Sequence, residues 1–397
     1  LAPPPRPHLL ARSRFAELAD RAMAASWRGP NRRPPLEPEF LWRKGSAGFW
    51  PGDETFGREA DDVADFRERL AIMCEALNGE ARLNALGHAS AYGQLKAAIR
   101  TRHKLGRLWR ERPALLDTEL APPIIVVGQM RSGTTRVHRL LAADPAHSAT
   151  RMCNTVEPVP RRPDTRALRC ALGLALARQV NPWLDTLHPF GATRPDEEIG
   201  WLSWSLNPCA FEAQWRIPSF VVFSEARDPA PVYRELARIL RSDAALMRDG
   251  ARPRVLKCPQ YAEDLPALLA QFPDARVVAT RRDTDEVLAS TISVVASQMA
   301  WQSDHAALEW IEAEWRRKLA LREARTEAAL AGFRGPLAEV EFSDFNRDWR
   351  GAMTQAYAAL GLDLTPAALA AMEKEQAVAK NSVHRLHEGI YRQAARA

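Results

Sequence analysis

Lysine is scarce in this sequence: seven residues (Lys44, Lys96, Lys104, Lys257, Lys318, Lys374 and Lys380) against 48 arginines. Cysteine is scarce as well, with five scattered residues and no C-x-x-C pair. That excludes a disulfide framework or a zinc ribbon and suits a reducing cytoplasm. Long apolar runs are missing, since none approaches the ~18 residues of a membrane span. The histidines form no H-E-x-x-H; His384 and His387 lie three apart without a completing ligand set, so no metal is expected. Charge of one sign is barely in excess: 55 basic and 49 acidic residues leave a net +6 over 397 positions, too little for a nucleic-acid binder. The sequence begins at Leu1 without a methionine or a signal-peptide pattern, so an earlier, removed segment stays open.

What is present is a folded protein's composition, 46% hydrophobic and 26% charged, unlike a disordered chain. At ~150 residues per domain the length allows two to three domains. Nine prolines before position 52 predict a surface arm with one short helix near Arg14–Ala25. Val63, Phe66, Leu70, Met73 and Leu77 then recur at helical spacing, and a second helix is expected from about Ala89 to Glu111. Residues 1–118 thus read as an arm and helical extension, with the core at 119–397.

From Pro123 the period changes. Ile124–Val127 is a β-branched run closed by Gly128, and strand signals return at Arg254–Leu256, Ala275–Ala279 and Leu337–Phe342. Helical patterns separate them, at 134–143, 264–271, 285–297 and 305–331. This alternation predicts an α/β fold with a parallel sheet covered by helices. The segment 152–250 interrupts the rhythm and is expected to cap the site. Trp183, Trp201, Trp204 and Trp215 lie inside it, either as core or as the lining of an apolar acceptor pocket.

Gly128-Gln-Met-Arg-Ser-Gly-Thr-Thr135 joins the first strand to a helix with the spacing G-x-x-x-x-G-T-T, the P-loop spacing without its lysine. Backbone N–H groups at a glycine turn and a helix N-terminus make an anion cradle. Arg131, Ser132, Gly133, Thr134 and Thr135 are its candidate ligands. With no lysine after Gly133 and no strand ending in a magnesium-binding Asp, the loop is not suited to a nucleoside triphosphate with its metal.

The run Pro123–Thr135 followed by Leu140-Leu-Ala-Ala-Asp-Pro145 resembles the phosphosulfate-binding loop of sulfotransferases, most of all a bacterial branch. The resemblance implies a P-loop-like core and the donor 3′-phosphoadenosine-5′-phosphosulfate (PAPS), with Arg131 to Thr135 on the 5′-phosphosulfate. Phe272 to Thr284 is a strand ending in Arg281-Arg282, with Ser290 on the next helix; it resembles the family's 3′-phosphate element, matching Arg282 and Ser290, although Thr284 stands where proline is usual. Val255-Leu-Lys-Cys-Pro259 resembles the K-S-P strand end, with Cys258 for serine, and gives Lys257 an electrostatic role on the departing phosphate or the sulfuryl oxygens. A weaker likeness at Ser382–Gly389 makes Arg385 a further candidate.

The proton acceptor is less plain. Relatives place a glutamate about 20 residues after the loop, where this chain has Cys153-Asn154-Thr155. Glu157 is the nearest replacement and His188 the competitor. Asp196-Glu197-Glu198 resembles a family acidic segment, and equally a solvated helix N-terminus. The expected function is sulfuryl transfer from PAPS to a hydroxyl or amine of a small-molecule, lipid or carbohydrate acceptor, releasing adenosine 3′,5′-bisphosphate without a metal. The alternatives are a P-loop kinase or hydrolase and a catalytically inactive nucleotide binder. A homodimer is compatible with the sequence.

Overall fold

β-Branched and aliphatic residues with no polar interruption need cover on both faces, and Ile124–Val127 (β1) is completely buried. The computed structural model describes residues 3–29 and 32–380. It adds β2 (Ser148–Ala149), β3 (Arg254–Lys257), β4 (Arg276–Arg281) and β5 (Leu337–Glu341), in the spatial order β2-β3-β1-β4-β5. Every pairing is parallel. Val126 stands opposite Lys257 and Val127 opposite Ala279, so the ends of β1, β3 and β4 reach one edge together.

Successive residues of a strand face opposite ways, and the two cores follow from this. Ile125, Val127, Leu256, Val277 and Ala279 pack with Tyr233, Leu236 and Leu240 of the Ala230–Met247 helix and Leu265 and Leu268 of the Tyr261–Gln271 helix. Ile124, Val126, Val255, Val278 and Val340 pack instead with Val137, Leu140 and Leu141 of the Thr134–Ala143 helix and Met353 and Tyr357 of the Trp349–Ala359 helix. The chain leaves β1 for β2 and β3 on one side, then crosses to β4 and β5 on the other. That places a switch point, where open α/β sheets bind ligands, at the end of β1.

The N-terminal helices Ala60–Gly79 and Ala85–Glu111 share a third core with Phe211, Trp215, Ile217 and Phe220. The proline-rich arm holds a second helix, Pro38–Ser46, that its prolines conceal. Pro38 opens the helix, where a missing N–H costs nothing. Leu41 and Gly45 are buried, and a Cβ on Gly45 would stand 2.6 Å from Ile99 Cγ2. Segment 152–250 runs as helices from Met152–Val156 to Ala230–Met247. Its tryptophans are core: Trp183, Trp201 and Trp215 are buried. All four indole N–H groups are bonded, Trp201 and Trp204 to the carbonyls of Asn154 (2.8 Å) and Thr155 (3.0 Å), Trp215 to Gln302 and Trp183 to Pro4. Among the described residues no helix is long and apolar enough to cross a membrane.

Candidate active site

Three residues of the loop after β1 take left-handed or positive-φ conformations: Gly128 (+154°), Arg131 (+70°) and Gly133 (+93°). The glycines are sterically required. A Cβ on Gly128 would lie 2.3 Å from Thr280 Oγ1, and one on Gly133 2.4 Å from Phe342 Cδ2. Arg131 is an arginine in a conformation that costs about 1–3 kcal/mol, strain that concentrates at functional sites. Ser132 donates its hydroxyl to the Gln129 carbonyl (2.6 Å) and shares a hydrogen bond with Thr280 Oγ1 (2.8 Å), so it holds the loop's shape. Gly133 caps the Thr134–Ala143 helix, whose first-turn N–H groups have no partner within the helix.

Arg131 Nε donates to Ser290 Oγ (2.8 Å), and Arg282 Nη1 donates to the Arg131 carbonyl (2.9 Å). Ser290 projects from the Thr284–Ala300 helix, so the strand-end arginine and the following serine meet the loop at one place. Arg282 also lies 4.3 Å over the Phe342 ring that closes on Gly133. Burial, then the nearby Arg282 charge, lower the Arg131 guanidinium to about 10. It stays protonated at neutral pH beside Arg282, which is itself paired with Glu286 at 2.8 Å.

The lone lysine completes the cradle. Lys257, at the end of β3, is buried, donates from Nζ to Thr135 Oγ1 (3.0 Å) and forms an ion pair with Glu197. Glu197 Oε1 lies 3.7 Å from His188 Nδ1, and Asp196 Oδ1 lies 3.3 Å from His188 Nε2. Burial by itself would raise Asp196; the charge and contact of His188, the Glu197 N–H and Lys257 outweigh it and hold the carboxyl at about 2. One oxygen from each acid and one ring nitrogen fall within 4.8 Å, close enough for a cation. Lys257 already stands on Glu197, however, and the imidazole turns opposite nitrogens to the two carboxylates. His188 is tied to the loop by its neighbour, since Arg131 Nη1 donates to the Leu187 carbonyl (2.7 Å).

Asp196-Glu197-Glu198 is thus no solvated helix end; all three are buried. Glu198 accepts from the Lys257 N–H (2.8 Å) and the Tyr261 hydroxyl (3.1 Å) and fixes the end of β3. Burial pushes its carboxyl from 4.5 up to about 7 against those hydrogen bonds. A raised acid favours the protonated folded state, so its contribution is present below its ordinary pKa and lost as pH rises through about 7. Glu198→Gln is therefore expected to flatten the fall in melting temperature between about pH 5 and pH 8; an unchanged slope in thermal melts would contradict this.

Glu157 is placed elsewhere. Its carboxylate pairs with Lys104 (3.4 Å), Arg161 (3.5 Å) and Arg169 (2.7 Å), none of them in the loop cluster. Asn154, where relatives carry the glutamate, donates to Asp243 (2.7 Å) and is structural. Arg385, with His384 and His387, lies outside the described residues. Glu197, which the sequence offers only as part of the acidic triplet, is the residue the structure sets between Lys257 and His188.

The chain's sequence matches the profile described as "Sulfotransferase family" over residues 122–366, more than half its length. In structure it is similar to sulfotransferase STF1 from Mycobacterium tuberculosis H37Rv, with a TM-score of 0.76 and 26% identity over 92% of this chain and 100% of that one. It also shares the fold of sulfotransferase STF9 from Mycobacterium avium, with a TM-score of 0.76 and 19% identity over 86% and 88% of the two chains. No curated protein matches the sequence. The profile spans the glycine loop, the lysine strand end and the second arginine strand, and the chain belongs to the sulfotransferase family.

Proposed function

We propose that this protein transfers a sulfuryl group from PAPS to a hydroxyl or amine acceptor and releases adenosine 3′,5′-bisphosphate. The observation that carries the reading is the meeting of the two anchors: Arg131 Nε on Ser290 Oγ at 2.8 Å and Arg282 Nη1 on the Arg131 carbonyl at 2.9 Å. A loop that binds one phosphate-like group needs no second strand-end arginine beside it; a nucleotide phosphorylated at both 3′ and 5′ positions does. The donor set fits such a molecule. In this reading Thr134 and Thr135 at the helix N-terminus take the 5′ side and Arg282 and Ser290 the 3′ side, while the two glycines let Thr280 and the Phe342 ring pack against the loop and fix its turn. When bound, the cofactor supplies the sulfuryl group and a stable bisphosphate leaving group.

The chain's own residues do the rest by position and charge. Lys257, held by Thr135 and Glu197, offsets negative charge gathering on the leaving side. The His188–Glu197 pair accepts the acceptor's proton, with Asp196 Oδ1, 3.3 Å from His188 Nε2, orienting the imidazole. Five free, buried cysteines suit a cytoplasmic setting.

The 3′ contact is tested by thermal stabilisation, because a ligand of the native state raises its melting point. The parent is expected to respond far more to adenosine 3′,5′-bisphosphate than to adenosine 5′-monophosphate. Arg282→Ala should erase the difference, with an affinity loss of about ten- to a hundredfold for the bisphosphate, as expected for a charge-assisted contact of about 1.5–3 kcal/mol. Equal responses in the parent would remove the 3′-phosphate from the assignment.

A further inference from the structure

The Arg166–Val180 helix buries only Arg166, Cys170 and Leu174, spaced four apart, against a small cluster with Cys153. An ordinary surface helix turns polar residues outward. Here the outward face is Leu168, Leu172 and Leu176, at 62%, 63% and 58% exposure, flanked by exposed Ala167, Ala171 and Ala175. From Cys170 to Ala177 the helix has no charged residue, and Arg169 and Arg178 stand at its two sides. The Arg14–Ser26 helix adjoins it: Ser13 Oγ donates to the carbonyls of Gln179 (3.0 Å) and Val180 (2.8 Å), and Phe15 and Leu18 are exposed there.

The charge around this face identifies its partner. Arg166 is buried on Asp164, Arg178 is paired with Asp185 and Arg169 with Glu157, which Arg161 also approaches at 3.5 Å; the small excess of positive charge is that of the exposed Arg161 and Arg162. A second copy would bring the same positive face against itself. The chain's last residues, 381–397, carry Arg385, Arg392 and Arg396 against Glu388 and are also positive. An anionic lipid surface complements both features, with arginine head groups at the phosphates and leucines below them. The link Asn181–Trp183 joins the helix to the Leu184–Leu187 turn and His188, so the face adjoins the candidate active site.

We propose that the Arg166–Val180 helix is a docking face for an anionic membrane surface, lying in the interface plane with Leu168, Leu172 and Leu176 inserted. This goes beyond sulfuryl transfer and does not depend on it.

Flotation of the full chain with phosphatidylcholine vesicles, with and without phosphatidylglycerol, tests the proposal. The parent should float with the anionic vesicles, less so as salt rises, and not with phosphatidylcholine alone. The triple variant L168Q/L172Q/L176Q should lose about tenfold or more in vesicle affinity, with its circular dichroism and melting temperature unchanged, because these side chains project into solvent. Arg161→Glu with Arg162→Glu, which leaves the leucines in place, should weaken the salt-sensitive part. Failure of the parent to float with anionic vesicles, or undiminished flotation of the leucine variant, would overturn the proposal. So would a dimer in light scattering that the leucine substitutions convert to monomer, which would assign the face to a second copy.

Discussion

Lys257→Met is expected to lower sulfuryl transfer from radiolabelled PAPS about 10²–10³-fold, the loss typical of removing one preorganised group aimed at developing charge. The side chain is buried, so its charge acts with little screening. The same substitution leaves Glu197 without its ammonium partner, and breaking a buried pair costs about 3–5 kcal/mol of stability. Lost turnover alone would therefore not separate catalysis from folding. Turnover measured well below the variant's melting temperature separates them: the loss is expected to persist where the protein is fully folded. Near-normal turnover in a stably folded Lys257→Met protein would remove the lysine from the reaction.

A second large effect is expected at the proton acceptor. His188→Asn and Glu197→Gln should each reduce turnover by about 10²–10⁴-fold, the usual range for a general base. Stabilisation by adenosine 3′,5′-bisphosphate should change little in His188→Asn, which leaves the anion cradle intact, whereas Glu197→Gln also frees Lys257, so its turnover is read beside its melting temperature. Glu157→Gln should keep most of its turnover, since that carboxylate is engaged by Lys104, Arg161 and Arg169. The reverse pattern, with Glu157→Gln inactive and His188→Asn active, would return the role to Glu157 and overturn the assignment to the His188–Glu197 pair.

Much of the architecture follows from short windows of sequence. Ile124–Val127 between Pro123 and Gly128 is a strand, and Val137, Leu140 and Leu141 give the Thr134–Ala143 helix its buried side. Lys257 is conspicuous because lysine is rare and because it ends a strand. The Pro38–Ser46 helix and the two-residue β2 are illegible for a local reason: proline masks one, and the other is too short to show a period. The His188–Glu197 pair is illegible for a different reason. Buried carboxylates survive only with partners, and those of residues 196–198 come from elsewhere in the chain: His188 before them, Lys257 and Tyr261 after. The tryptophans show the converse, since composition within residues 152–250 gives no hint that each indole N–H is claimed by a distant acceptor.

The central claim is that the loop and its second anchor hold a 3′,5′-bisphosphorylated adenosine and not a nucleoside triphosphate with its metal. Thermal melts of the parent chain test it most directly. At a hundredfold excess over its dissociation constant a ligand of the native state contributes about 2.7 kcal/mol, which shows as a rise of a few degrees in melting temperature. The predicted result is such a rise with adenosine 3′,5′-bisphosphate and none with ATP and magnesium. A rise with ATP and magnesium, and none with the bisphosphate, would contradict the account.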